Sequence, residues 1–331
     1  MKLLAILLFL FVALLPAPTS RAQQKVDWNG YLQYRFTDNY LDQAFFSVRR
    51  AKLWLNGTLP EDAHTWNYKL QAMFHQQAQF DFLLQDVYVS YRTNGLEFTA
   101  GQFVPDFSLQ RKQPDYIIPL VERAAVVSAL VPAAETMARD IGVEVKLSEN
   151  HLGSISLGFL NGNGANTLSN KRNFLLVQRG TLSLLDADAT FQLGYNLSYR
   201  HATTIQFTKI LGPNVSFSGN DFRFGFEGRF ALWGIEVQSE YIEAHLGDQR
   251  AHGFYALADY LITPEHRITL SIEKLRDLNP STQDDPWYIV AYSYLLKGDE
   301  IKLSVDNRFQ FTGSNTNSLT TLQIQYFFHQ S

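Results

Sequence analysis

The sequence predicts an all-β fold: a transmembrane antiparallel up-and-down β-barrel of about 16 strands, with one inward-folded loop narrowing its lumen. Three observations predict it. Apolar and polar residues alternate strictly through most of the chain. Tyr and Trp gather at the ends of the apolar runs. The start of the chain reads as an export signal, and no later stretch is long and apolar enough to cross a bilayer as a helix.

The leader comes first. Lys2 gives a positive start, residues 3–15 are apolar, Pro16 and Pro18 break the run, and Ser20-Arg21-Ala22 places small residues where a signal peptidase reads. Residues 1–22 are therefore expected to be removed before Gln23, leaving residues 23–331 as one barrel domain. Losing Lys2 and Arg21, and no acid, takes the formal charge from -4 to -6. The best later candidate for a membrane helix, residues 116–134, is interrupted by Pro119, Glu122, Arg123 and Pro132.

The strands follow. Trp28, Leu32, Tyr34 and Phe36 oppose Asn29, Gln33 and Arg35. Trp66, Tyr68, Leu70, Ala72 and Phe74 oppose Asn67, Lys69 and Gln71. The same pattern runs through residues 191–200 and 222–232. A period of two makes each run a strand with one apolar face. Strands are expected to begin near 26, 44, 64, 82, 96, 140, 153, 172, 190, 203, 221, 234, 251, 266, 287, 300 and 318. That is one too many for an even barrel, and the starts near 172 and 203 have the weakest alternation. Turns are expected at Asn56-Gly57, Asn94-Gly95, 161–164, 212–214, Asn279-Pro280 and 297–299. Residues 105–139 lack alternation, hold four prolines and many apolar residues, and include 120–130, where a short helix is expected. In a barrel such a segment folds into the lumen.

A soluble sandwich also alternates. Four features favour the membrane. Several runs reach about 10 residues, the length a membrane strand needs. Trp28, Tyr40, Trp66, Tyr91, Tyr199, Trp233, Tyr260 and Trp287 sit at run ends, as interfacial girdles do. Connections alternate between short and long. The chain closes with Leu322, Ile324, Tyr326 and Phe328 around Gln323 and Gln325, an amphipathic final strand.

The segment 46–57, Phe-Ser-Val-Arg-Arg-Ala-Lys-Leu-Trp-Leu-Asn-Gly, resembles the paired-arginine second strand of the phosphate-selective porin O/P family. Residues 83–91 are similar to that family's fourth strand, and 99–105 to the strand entering its large loop. Glu122-Arg123 and 139–143 resemble the motifs that anchor the loop. The resemblance is clearest from about 26 to 160. It implies an outer-membrane porin of a Gram-negative-type cell, lipid-embedded and usually trimeric. It further implies passive diffusion of small anions such as phosphate through a basic lumen, without a cofactor. Arg49, Arg50, Arg123 and Arg139 lie in the matching motifs. Lys52 shares the face of Arg50, and Arg111 and Lys112 lie in the loop outside any motif. Arginine forks and rings of basic residues suit oxyanions.

Other signs pull against phosphate. Asp86, Glu227, Glu236, Glu240 and Asp306 stand on lumen-facing positions. If Leu53 and Leu55 face lipid, strict alternation puts Arg49 on their side unless a bulge intervenes. Arg123 and Arg139 have Glu122, Glu135 and Asp140 nearby as ion-pair partners that would merely pin the loop.

Chemistry is poorly supported. The chain has no cysteine, so thiolate metal sites and cysteine nucleophiles are excluded. Its eight histidines show no metal-ligating spacing. No nucleophile elbow or phosphate-binding P-loop occurs. The Asn-Gly run at 161–166 lacks the clustered carboxylates of a calcium loop. The acidic balance argues against nucleic acid. Glu122 and Glu135 are the one acid-base pair a loop cleft offers, and two carboxylates in a charged loop are more often ion-pair partners. Two rival readings follow: a membrane-barrel enzyme acting on lipid, for which the sequence supplies no identifiable nucleophile and base at the lipid interface, and a soluble secreted β protein binding a glycan.

Overall fold

The structure is a computed structural model that describes residues 25–61, 64–76, 80–149, 152–167, 172–185, 189–297 and 300–329. The expected leader lies outside them. Among these residues, sixteen strands form one closed antiparallel barrel. They are β1 (Lys25–Asp38), β2 (Ala44–Glu61), β3 (His64–Gln76), β4 (Phe80–Thr93), β5 (Leu96–Phe103), β6 (Asp140–Glu149), β7 (Gly153–Leu160), β8 (Leu175–Leu185), β9 (Ala189–Gln206), β10 (Ser216–Leu232), β11 (Ile235–Leu246), β12 (Gln249–Leu261), β13 (His266–Arg276), β14 (Trp287–Leu296), β15 (Ile301–Thr312) and β16 (Asn315–His329). Each strand pairs with the next, and β16 returns to β1 from Asn29↔His329 to Asp38↔Thr320. Closure leaves no edge strand, which a bilayer requires.

Alternation is realised as exposure. Lys52 and Trp54 are buried inside, while Leu53 and Leu55 between them face out. The outer face carries Phe226, Phe230, Leu270 and Ile324, all exposed. Trp28, Tyr40, Trp233 and Tyr260 are exposed near strand ends, where a girdle belongs, whereas Tyr199, expected at a run end, lies within the unbroken β9.

Several expectations are corrected. The start near 203 does not open a strand, because β9 runs unbroken through it to Gln206. The weak start near 172 is real and becomes β8. Asn56-Gly57 is not a turn but mid-β2. Gly57 lies opposite Tyr68, and a Cβ there would collide with the Tyr68 ring. Asn94-Gly95 is a turn, with φ of 44° and 81°, the left-handed pair of a two-residue hairpin. Connections at the loop end are not uniformly long, since two-residue links join β11 to β12 and β15 to β16.

Residues 104–139 connect β5 to β6 and fold into the lumen. They contain a helical turn (Leu109–Lys112), a short helix (Ala125–Leu130) and a 3-10 turn (Ala134–Thr136). The helix is thus shorter than the 120–130 expected: Ala125 N donates to Glu273 and the Val121 carbonyl accepts from Arg35, so these two do not close a helical turn with each other. Val126, Val127 and Leu130 are fully buried. They join one apolar cluster with Ile242, Ala244 and Leu246 of β11, Tyr255 of β12 and Ile289 of β14. Burying each such side chain is worth about 1.5–3 kcal/mol. Gly253 permits the close approach: a Cβ there would stand 3.1 Å from Val126 Cγ2.

Polar latches complete the docking. Glu240 accepts the backbone N–H groups of Leu109 (3.0 Å) and Gln110 (2.7 Å). Asn196 accepts from Ser108 N, Glu144 from Asp106 N, Asp306 from Val121 N and Glu273 from Ala125 N. Apart from Glu144 on β6, these latches stand on β9 to β15, so the loop is fastened mainly to the far wall, and the free lumen lies against β2–β6.

Candidate functional site

Two bulges shape the near wall. Between β1 and β2 the register steps from Gln33↔Arg50 to Tyr34↔Val48, leaving Arg49 as the extra residue. A bulge turns two successive side chains to one side. Arg49 accordingly points inward with Arg50, not outward with Leu53 as unbroken alternation would have it: Arg49 Nε lies 2.5 Å from Glu122 Oε1 and Arg50 Nη2 3.0 Å from Oε2. Between β3 and β4 the step from Gln71↔Asp86 to Ala72↔Leu84 leaves Gln85 extra, and Gln85 and Asp86 are both buried.

The cations outnumber the carboxylates they share. Glu122 takes Arg35 (2.7 Å), Arg49 and Arg50. Asp115 takes Lys52 and Arg123, with Arg50 Nε at 3.9 Å. Asp86 takes Arg139 (3.0 Å) and Lys69 (2.9 Å). Arg123 and Arg139 are thus ion-paired, as a pinning role requires. Their partners, however, are Asp115 and Asp86, not Glu122, Glu135 or Asp140. Lys112 reaches Val104 O at 3.1 Å and Asp106 at 3.9 Å.

Two lumen cavities meet here. One, of about 460 Å³, opens toward the chain termini and is lined by Trp54, Lys69, Glu97, Thr99, Lys112 and Lys146 among others. The other, of about 480 Å³, opens toward the loops past Arg49, Arg50, Glu122 and Lys209. Arg111, Asp115, Arg123 and Arg139 line both, and so form the neck between them.

Backbone carbonyls orient the neck. Met137 and Ala138 are both left-handed, with φ of 55° and 54°. The Met137 carbonyl accepts from Arg111 and, at 2.9 Å, from Arg139. Arg123 donates to the carbonyls of Gln110 (3.2 Å) and Gln113. Ser108 caps the helical turn by accepting from Arg111 N at 3.2 Å. Arg111 has no carboxylate within ion-pair distance among the described residues, and its buried Nε lacks a hydrogen-bond partner. Burial, then the charges of Arg139 and Arg50, hold its guanidinium well below the usual value. Glu122 behaves oppositely. Burial alone would push it up, but Arg50, Arg49 and Arg35 outweigh burial and hold it well below the usual carboxylate range.

Of the acids that counted against anions, Asp86 stands in this passage, paired with Arg139 and Lys69, and the other four are engaged elsewhere. Glu240 and Asp306 are spent on loop N–H groups. Glu227 pairs with Arg179, and Glu236 with Arg229 at 2.8 Å. Sequence reasoning missed Arg35, Lys69 and Asp115 as members of the site. Arg35 and Lys69 were readable as polar-face residues of alternating strands. Asp115 carried no signal beyond its place in the loop. Glu122 and Glu135 do not meet as an acid-base pair: Glu135 instead accepts from Thr208 Oγ1 and, at 3.1 Å, from Lys209 N.

Solved porin structures share the fold. Salmonella typhi OmpF in complex with daunomycin superposes with a TM-score of 0.69 at 13% identity, covering 93% of this chain and 99% of that one. The outer membrane channel DcaP of Acinetobacter baumannii gives 0.65 at 12% identity, with 93% and 99% covered. The trimer form of Vibrio cholerae OmpT, an outer membrane protein, gives 0.64 at 10% identity, with 92% and 99% covered. No curated protein matches the chain. The profile of one family, phosphate-selective porin O and P, matches residues 23–270. With that match laid over a closed sixteen-strand barrel and its lumen loop, this chain belongs to the phosphate-selective porin O and P family and is an outer-membrane channel for solute diffusion.

Proposed function

We propose that the channel passes small anions, with phosphate preferred, and that Arg111, Arg123 and Arg139 form its selective neck. The observation that carries this reading is Arg111: a guanidinium that lines both lumen cavities, together with two more, and has no carboxylate within ion-pair distance among the described residues. An oxyanion entering there supplies the missing acceptor, and each charge-assisted hydrogen bond is worth about 1.5–3 kcal/mol. Arg49, Arg50 and Lys52 feed the neck from β2, and Lys112 stands on the terminus side. The net charge of -6 after loss of the leader sets no attractive global field, so selectivity rests on this local cluster. The reading involves no cofactor and no reaction. It includes cleavage of the leader and assembly as a homotrimer within the lipid, the latter drawn from the trimeric state of Vibrio cholerae OmpT.

The test is planar-bilayer recording of the detergent-folded protein, with the reversal potential in a chloride gradient and inorganic phosphate added. Anion selectivity with phosphate block supports the reading. Stable steps without anion preference discard the phosphate assignment and leave the general pore.

A further inference from the structure

Asp115 occupies the place a permeating anion would take. It is a neck residue, lining both cavities, yet it is negative. Its Oδ2 is met by Lys52 Nζ and by the Tyr31 hydroxyl at 3.2 Å, with Arg50 Nε at 3.9 Å. Its Oδ1 is met by Arg123. Two guanidiniums, an ammonium and a phenol are the donors a small oxyanion would recruit.

The Asp115 side chain can swing without breaking a strand or helix, because residues 113–117 form neither. The segment is held on either side of it: Ile117 N bonds Pro114 O at 3.2 Å, Arg123 donates to the Gln113 carbonyl, and Gln325 Nε2 donates to the Tyr116 carbonyl at 3.1 Å. Pro114 and Ile117 are exposed, whereas Ile118, Leu120 and Val121 just beyond are buried. Glu122 differs on both counts: it lines only the loop-side cavity and holds three arginines to the loop.

We propose that Asp115 is a tethered counter-anion of the neck, displaced by each permeating anion, and that it sets a preference for multiply charged oxyanions over chloride. This rests on the anion reading above. A tethered carboxylate competes at high effective concentration. A singly charged ion gains no more Coulomb energy than Asp115 already supplies, whereas a dianion gains about twice as much.

The experiment compares wild type, Asp115→Asn and Asp115→Glu as folded full-length channels in planar bilayers, using chloride and inorganic phosphate. The half-blocking phosphate concentration is expected to fall about tenfold in Asp115→Asn, equivalent to about 1.4 kcal/mol. Chloride conductance is expected to rise at the same time, and Asp115→Glu should restore both. If Asp115 only anchors the loop, the Asn channel will be noisier with phosphate block unchanged or weaker, and the proposal is overturned. A wild-type channel without phosphate block overturns the anion reading and this proposal together. Block in wild type with no change in the variant overturns this proposal alone. Should the Asn variant lose heat-modifiable gel migration, Asp115→Ser provides the same measurement.

Discussion

Glu240 on β11 accepts the backbone N–H of Leu109 at 3.0 Å, across a sequence gap that only barrel closure brings together. The same carboxylate takes Gln110 N at 2.7 Å and the Tyr255 hydroxyl at 2.8 Å. A residue that reads as a lumen charge is therefore a fastening for the loop. Substituting Glu240→Gln leaves one acceptor oxygen for three donors and brings an N–H₂ that cannot face them. The expected cost is about 1–3 kcal/mol, confined to the loop. Current noise and mean conductance should rise while heat-modifiable migration stays, because the strand ladder is untouched. A quiet channel of unchanged conductance would show that the latch is dispensable.

Arg111 should matter more for anions than its neighbours. Arg123 and Arg139 already have carboxylates, so part of their charge is answered within the protein. Arg111→Gln removes the unanswered one. Half-blocking phosphate is expected to rise about ten- to hundredfold, the equivalent of one charge-assisted hydrogen bond. Equal block in the variant and in wild type would move the site away from the neck.

The barrel itself was legible because a period of two writes each strand's lipid face directly into the sequence. Phe226 and Phe230 are exposed outside, while Arg223 and Glu227 are buried inside. Register breaks were not legible. Nothing in the order Val48-Arg49-Arg50 announces a bulge, since the extra residue is defined by the pairing partner on β1. The docking patch left a trace: the inward positions of β11 change from Glu236, Gln238 and Glu240 to Ile242, Ala244 and Leu246. That change marks where a polar lumen becomes a seat for the helix. Which cation meets which acid depends on three-dimensional placement, so Asp86 and Asp115 as partners of Arg139 and Arg123 lay beyond linear reading.

Glu122 gives the loop a defined pH response. Its carboxyl is held well below the usual range, so its folded value lies below its unfolded value of about 4.3. The stabilisation it provides is complete above the unfolded value and is lost as pH falls through the folded one. Conductance should therefore be insensitive to this group between about pH 7 and 5 and change only under stronger acid. In Glu122→Gln the contribution is absent at every pH, so the low-pH transition assigned to it should disappear. A wild-type transition that survives this substitution would belong to another carboxylate.

The bulge at Arg49 can be tested without a channel assay, because the chain has no cysteine. Under unbroken alternation, positions 49 and 50 must face opposite sides, and 49 must share the environment of 53. Under the bulge, 49 and 50 both face the lumen while Leu53 faces lipid, as its 49% exposure on the outer wall indicates. Single substitutions Arg49→Cys, Arg50→Cys and Leu53→Cys, each folded into lipid vesicles, separate the two arrangements. A membrane-impermeant, water-soluble thiol reagent small enough to enter the pore should label the first two and spare the third. Because Arg35 and Arg50 continue to hold Glu122, loss of Arg49 alone should leave the loop docked. Labelling at 50 but not at 49 would restore strict alternation and remove Arg49 from the pore wall.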